Sequence, residues 1–550
     1  MNLRLARSFE RVLDWIRENK PLEATALGIH DQDHRVDPLA RDRREPAERL
    51  SDIRAAVPAG GPPDDALDAG ALRAWLSEIA LTEYEFDLPA RSAGHMLEDF
   101  LTALFHQVNG TYAAPVERFG ALLYRLRELQ RLLGQVLLVL QESAARGIVP
   151  TAWTEHGMDV AEDGAKYLLA IRRELPRWLP SKAVAPLRRA VAEELTRASR
   201  ACMEFRADLQ KRILPKSSPQ AAHAGPKLFG RILVEAHRMP ADPMPFVREA
   251  EDEKNEILMR LEKLSLNICG DADWHAAADQ LARHHPAAGE LIPAFRRETG
   301  KLLRFVEARK ITAMRSDSSL EVIETPPFER ASIPYAAYQG APAFERRERL
   351  GYFFVTPPDP RASAAARLRH LREFPTASIV LTAAHEGVPG HHLQHLVAHA
   401  SARPIRWMVW DSFFGEGWAH YSEGLVFGAG FPSDERSEFF LLKDRLWRCV
   451  RVKLDVQIHT RNLPLAQAAS ILAREAGLSR EGAWGEIVRY SLEPTQPMSY
   501  FVGRKWFERH ARESRLSARG GDEPAAFYDR VLSFGAVPLP LAEKRLCQKP

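Results

Sequence analysis

The stretch ERFGALLYRLRELQRLLGQVLLVLQESAARG, residues 117–147, spaces Leu122, Leu126, Leu129, Leu133, Val136 and Leu140 at intervals of three and four. That period places apolar side chains on one face of an α-helix, and such a face folds only against other faces of its kind. Gly147 is suited to end this helix, and Pro150 follows it. The same period fills 159–178, 183–213, 245–265 and 289–309, with Pro- and Gly-rich breaks at 57–63, 215–226 and 240–245. Strand patterns are almost missing from the first 310 residues. Near 315 the texture changes: SLEVIETPPFER, ASIPYAAYQGAPA and GYFFVTPP set β-branched and aromatic residues between prolines and predict short strands. Helical sequence resumes near 375. The expectation is a mainly α fold with a small sheet. Residues 1–310 form a helical half and 311–550 a half carrying the sheet and the chemistry, together one continuous structural unit.

Composition narrows the function more by exclusion than by direction. Hydrophobic residues make up 45% and charged residues 27% of the 550, the balance of an ordinary globular protein. The net charge is +3, from 76 basic and 73 acidic residues, so no global field points to nucleic acid or to a membrane surface as partner. The longest apolar run, VLLVL at 136–140, is far short of the roughly 20 residues that a membrane span needs. The N-terminal residues lack an apolar leader segment, which predicts a cytoplasmic protein. Cys202, Cys269, Cys449 and Cys547 have no paired spacing. That argues against a Cys-ligated metal and puts Cys202 and Cys449 in the core.

The polar residues that stand out begin at AHEGVPGHHLQH, 384–395. A zinc helix of the H-E-x-x-H type grips its ion with two histidines one turn apart, the glutamate between them acting as base. Here the position four after His385 is Pro389. On an undistorted helix His392 shares the face of His385 but lies about 10.5 Å further along the axis, too far for one ion. His391 would face about 120° away. Pro389 and Gly390 change this, because proline interrupts the helical ladder and glycine tolerates the dihedrals of a distortion. A distortion consuming two extra residues would return His391 to the direction of His385. From the residues alone, His391, His392 and His395 compete for the second position.

Downstream, FFGEGWAHYSEGL (413–425) sets Glu416 among Phe413, Phe414, Trp418 and Tyr421, where a carboxylate is costly to bury without a cation. Glu423 is a candidate to orient a ligand histidine, and His420 to contact substrate or metal. In DRLWRCVRVKLDVQIHT (444–460), Arg451, Asp455 and His459 line one helix stripe. Asp455 is expected to fix the tautomer of His459 and leave its imidazole for an oxyanion, an ordinary intrahelical ion pair being the competing account. In EPTQPMSYFVGRKWF (493–507), Tyr500 is a candidate oxyanion donor and Gly503 a site of close packing. Arg504, Lys505 and Arg451 are candidates to hold a terminal charge of a substrate.

HEGVPGHHLQ, EGWAHYSE, the Arg451–Asp455–His459 stripe, QPMSYFVG and the N-terminal VLDWIRENKPLEATALG together resemble the bacterial family known as domain of unknown function 885. That family is in turn similar to the helical zinc peptidases of the thimet oligopeptidase and angiotensin-converting-enzyme type. The resemblance implies an elongated all-α architecture with a deep cleft and a small edge sheet, and one Zn2+ per chain held by His385, His391 and Glu416. It also implies Glu386 as general base and Tyr500 as transition-state donor, with GYFFVTPP as the strand flanking the cleft. Around Tyr500 the family commonly reads P-G-Q-A where this chain has Pro494-Thr495-Gln496-Pro497.

The function expected is a zinc metallohydrolase acting on an amide bond in short peptides. The substituent readings are a metal-dependent hydrolase of a small non-peptide amide and an inactive helical peptide-binding protein. Oligomeric state is not legible.

Overall fold

The computed structural model describes residues 1–39, 43–312, 319–330, 332–345, 350–517 and 524–548. They are mainly helical with one three-stranded sheet and divide into two compact units. The first unit comprises 1–223, 326–332 and 341–349; the second comprises 224–325, 333–340 and 350–550. The change of texture near residue 315 is therefore internal to the second unit.

The first unit follows from its amphipathic periods. Helix Ala185–Asp208 packs on both Pro115–Ala145 and Thr151–Trp178, and Leu122, Leu126, Leu129, Leu133, Val136 and Leu140 are all buried. The long helix stops where glycine allows it. Gly147 takes φ +71°, its N–H bonds to Ala144 O, and that of Ile148 reaches Ser143 O at 3.2 Å, satisfying carbonyls that the helix end leaves over. Cys202 and Cys449, one in each unit, are buried free thiols.

The second unit holds the sheet, with β1 (Ser319–Glu324), β2 (Ala336–Gln339) and β3 (Leu350–Val355) in the order β1-β3-β2. β1 runs parallel to β3 and β2 antiparallel, with Tyr338 opposite Phe353. The three strand-like segments of the sequence thus become three strands. GYFFVTPP, however, supplies the central one, so its main-chain groups are taken on both sides and it cannot present a free edge. The edges are β1 and β2.

The polar segments lie on α1 (Thr376–Glu386), α2 (His391–Ala400), α3 (Ser412–Gly428), α4 (Glu435–Arg461), α5 (Arg480–Leu492) and α6 (Gln496–Ser517). Helices α3 and α6 meet backbone to backbone: a Cβ on Gly417 would lie 2.4 Å from Gly503 Cα, and one on Gly503 would lie 2.0 Å from Phe413 O. Neither position admits a side chain. Among the described residues, no helix is long and apolar enough to cross a membrane.

Candidate metal centre

The unusual spelling at 384–395 is resolved by ending one helix and starting another. α1 stops at Glu386, and α2 begins at His391 after a four-residue turn. Gly390 N–H bonds to Ala384 O at 2.9 Å and His392 N–H to Gly387 O at 3.1 Å, so the turn keeps main-chain partners. A Cβ at residue 390 would sit 1.9 Å from His385 O, which restricts the position to glycine. Trp418 Nε1, from α3, donates to Pro389 O at 2.8 Å and fixes the turn from outside.

This path brings His391 beside His385, their rings perpendicular with centroids 5.0 Å apart. Glu416 on α3 completes a group whose potential ligand atoms lie within 4.8 Å of one another. Glu416 Oε2 is 3.5 Å from His385 Nε2 and 3.3 Å from His391 Nε2. Ligand atoms about 2.0–2.1 Å from a tetrahedral zinc are separated by roughly 3.3–3.4 Å, so the spacing suits such an ion. The donor set of two imidazoles and one carboxylate suits it as well.

The surroundings fit the same group. Behind His385, Glu423 Oε1 accepts from Nδ1 at 2.7 Å, the carboxylate–histidine arrangement that turns the other ring nitrogen toward a metal. His420, wholly enclosed, bonds to the same oxygen at 3.3 Å; it supports Glu423 and is closed to substrate. Burial alone lowers the pKa of His385, but its hydrogen bonds to Glu416 and Glu423 and the charge of Glu386 raise it to about 10. Burial raises that of Glu416, yet the two imidazoles hold it well below the carboxylate range. Two carboxylates clustered on imidazoles thus draw in positive charge. Glu386 is buried, with no hydrogen bond or ion pair among the described residues.

Tyr500 on α6 stacks on His385 with centroids 6.1 Å apart. Burial and the Glu416 charge push its phenol up to about 12, keeping it a donor at neutral pH. Its ring carries the Arg451 guanidinium 4.4 Å from the centroid, and Arg451 also lies over Trp447 and bonds to Glu486 at 3.0 Å.

Several expectations are corrected. His459 does not stand ready for an oxyanion: Nδ1 accepts from Ala224 N–H at 3.2 Å and Nε2 donates to Tyr490 O at 3.0 Å, so main-chain groups use both nitrogens. Asp455 does not fix that ring, lying 3.8 Å away. Its oxygens instead accept from the N–H groups of Thr495 and Met498, each at 3.2 Å, and cap α6. Arg504 is committed to Glu253 and Glu508, the latter at 2.6 Å, and is not free for a substrate charge. His392 faces the Tyr338 hydroxyl at 3.1 Å instead of the cluster, and His395 stacks on Trp410 at 5.4 Å.

Residues that the sequence did not single out also shape the centre. Gln496 touches both Glu416 and Tyr500. Tyr338 stacks on His391 at 6.3 Å. His237 joins Asp411, which caps α3, to Thr495 just before α6, at 2.9 and 3.0 Å. The mechanical value of a histidine 174 residues from one partner and 258 from the other has no local signal.

Among solved structures, the chain is similar to a protein of unknown function from Shewanella oneidensis, provisionally designated a lipoprotein. The TM-score is 0.74 at 19% identity, over 98% of this chain and 99% of that one. It is also similar to a protein from Colwellia psychrerythraea with the same provisional designation, with a TM-score of 0.83 at 15% identity over 98% of each chain. At these identities the likeness speaks to the fold alone. No curated protein matches the chain. With residues 21–546 matched by the profile of the bacterial proteins of unknown function DUF885, the chain belongs to that family.

Proposed function

We propose that the chain is a zinc-dependent metallohydrolase that cleaves an amide bond in short peptides, built on the helical zinc-peptidase plan of the thimet oligopeptidase type. The observation that carries this reading is the meeting of His385, His391 and Glu416 at the spacing of a tetrahedral ion, with Glu423 set behind His385. A bound zinc would supply polarisation of the scissile carbonyl and a more acidic water. Glu386, buried and with no hydrogen bond among the described residues, would serve as the base that accepts a proton from the attacking water and returns it to the departing amine. Tyr500 donates its phenolic proton in a hydrogen bond to the oxyanion that develops on the carbonyl. β2 favours a peptide over a small amide: it is an edge strand whose Tyr338 ring stacks on His391, so an extended chain can add to it through main-chain hydrogen bonds.

Digestion of a peptide library by the zinc-loaded protein tests the substrate class. Defined cleavage products are expected. Zinc-loaded protein that leaves every peptide intact but hydrolyses small amides would transfer the reading to that class, and a protein inert toward both is a binding protein. Location is decided separately, by cell fractionation. That experiment distinguishes the cytoplasmic placement read from the N-terminal residues from the lipid-anchored one implied by the relatives' lipoprotein designation.

A further inference from the structure

Gln496 is the first residue of α6. Its amide nitrogen donates to Glu416 Oε1 at 3.4 Å and to the Tyr500 hydroxyl at 3.3 Å, while its oxygen accepts from Arg489 Nη1 at 2.9 Å. Arg489 is in turn held by Glu486 at 3.0 Å, an oxygen it shares with Arg451. A primary amide has two N–H donors and one acceptor oxygen, and all three groups are used here. The guanidinium also decides which end of the amide is which. A flipped amide would set N–H against N–H at Arg489 and oxygen against oxygen at Glu416, losing both bonds.

From this geometry, and resting on the zinc-hydrolase reading above, we infer that Gln496 is a positioning residue that holds Glu416 and Tyr500 in different orientations for different tasks. With Oε1 of Glu416 engaged by the amide, Oε2 is the oxygen turned toward His385 Nε2 and His391 Nε2. With the Tyr500 oxygen accepting from the same amide, the phenolic proton is left for a substrate oxygen. Without the amide, Glu416 Oε1 and the Tyr500 hydroxyl lose the donor they share, and ligand and phenol are released together. Arg489 is the outer support, because it fixes the amide that fixes them both.

The test uses the full chain and two variants, Gln496→Met, which keeps the length and removes the amide, and Gln496→Asn, which keeps the amide and shortens the reach. Zinc affinity is read by competition with a chromophoric chelator, and kcat and KM are read on a peptide at saturating zinc, each also in a Tyr500→Phe background. Gln496→Met is expected to weaken zinc binding about 10- to 100-fold and to lower kcat about tenfold or more with KM within about twofold. Tyr500→Phe should leave zinc affinity unchanged. In its background the zinc defect of Gln496→Met should persist, while the kcat defect should largely vanish, because the donor it serves is gone. Zinc affinity within about twofold of wild type in both folded variants, or kcat losses that multiply in full, would overturn the role. A wild-type chain that takes up no zinc would instead bring down the hydrolase reading itself, and the first titration separates the two failures.

Discussion

Each unit of the chain sets histidines against carboxylates on helices, and the two clusters settle their charge differently. In the first unit Glu83 is flanked by Lys20 Nζ at 2.7 Å and His95 at 3.1 Å, with Arg43 3.7 Å away. Burial raises its pKa, but Lys20 and His95 drive it well below the carboxylate range. In the second unit the ion-pair partners of Glu416 and Glu423 are imidazoles; among the described residues neither has a lysine or arginine at ion-pair distance. The first cluster carries its own fixed cation. The second has no such cation at ion-pair distance, and a divalent ion would offset the charge of its carboxylates. Residue type alone does not separate the two clusters; the lysine at ion-pair distance in the first does.

The contrast can be broken by substitutions that should affect one cluster and spare the other. The largest effect is expected for Glu386→Gln, which removes a general base and no ligand: turnover should fall about 10³-fold or more while zinc content is unchanged. A retained rate would remove Glu386 from the mechanism. Lys20→Met should cost about 3–5 kcal/mol of stability by chemical denaturation, because it removes the ammonium that Glu83 and Asp37 share in a buried site and leaves Asp37 without it. Zinc content of the folded fraction should stay the same, and a loss of zinc would mean that the two clusters are coupled.

Glu423→Gln should weaken zinc binding about 10- to 100-fold in chelator competition, with little change in the stability of the metal-free protein. The reverse pattern would make Glu423 a structural partner of His385 and nothing more. The smallest effect concerns pH in the first unit. Burial lowers the pKa of His95, but Asp99 and Glu83 more than offset it and raise it from 6.5 to about 9. The folded chain therefore holds this proton more tightly than the unfolded one. The stabilisation is complete below pH 6.5 and is lost as pH rises through about 9. Denaturation across that range should show the loss with or without a chelator, and His95→Gln should flatten it; a loss abolished by zinc would place its origin elsewhere.

The helices and the three strands were legible because their apolar periods are local: Leu122 to Leu140 read the same in sequence and in the core. The grouping of His385, His391 and Glu416 was legible only in part: His385 and His391 lie within seven residues and Glu416 stands out as a carboxylate among aromatics, but His392 and His395 competed with His391 until the turn at 387–390 was seen. Sequence failed where a side chain's partner is a main-chain group far along the chain. The stripe Arg451–Asp455–His459 is real as a helix face, but Asp455 serves the start of α6, 40 residues on, and His459 is bound to residues 224 and 490. Strand order was hidden in the same way, because chain order does not reveal that β3 lies between β1 and β2. Gln496 passed unnoticed because an amide at a helix start reads as an ordinary polar residue until its three partners are seen together.

Anomalous diffraction at the zinc absorption edge, on crystals of the protein purified without added metal, tests the central claim most directly. The account predicts one peak per chain, bounded by Nε2 of His385, Nε2 of His391 and Oε2 of Glu416. No peak there, or a peak held by His392 or His395 in place of His391, would contradict it.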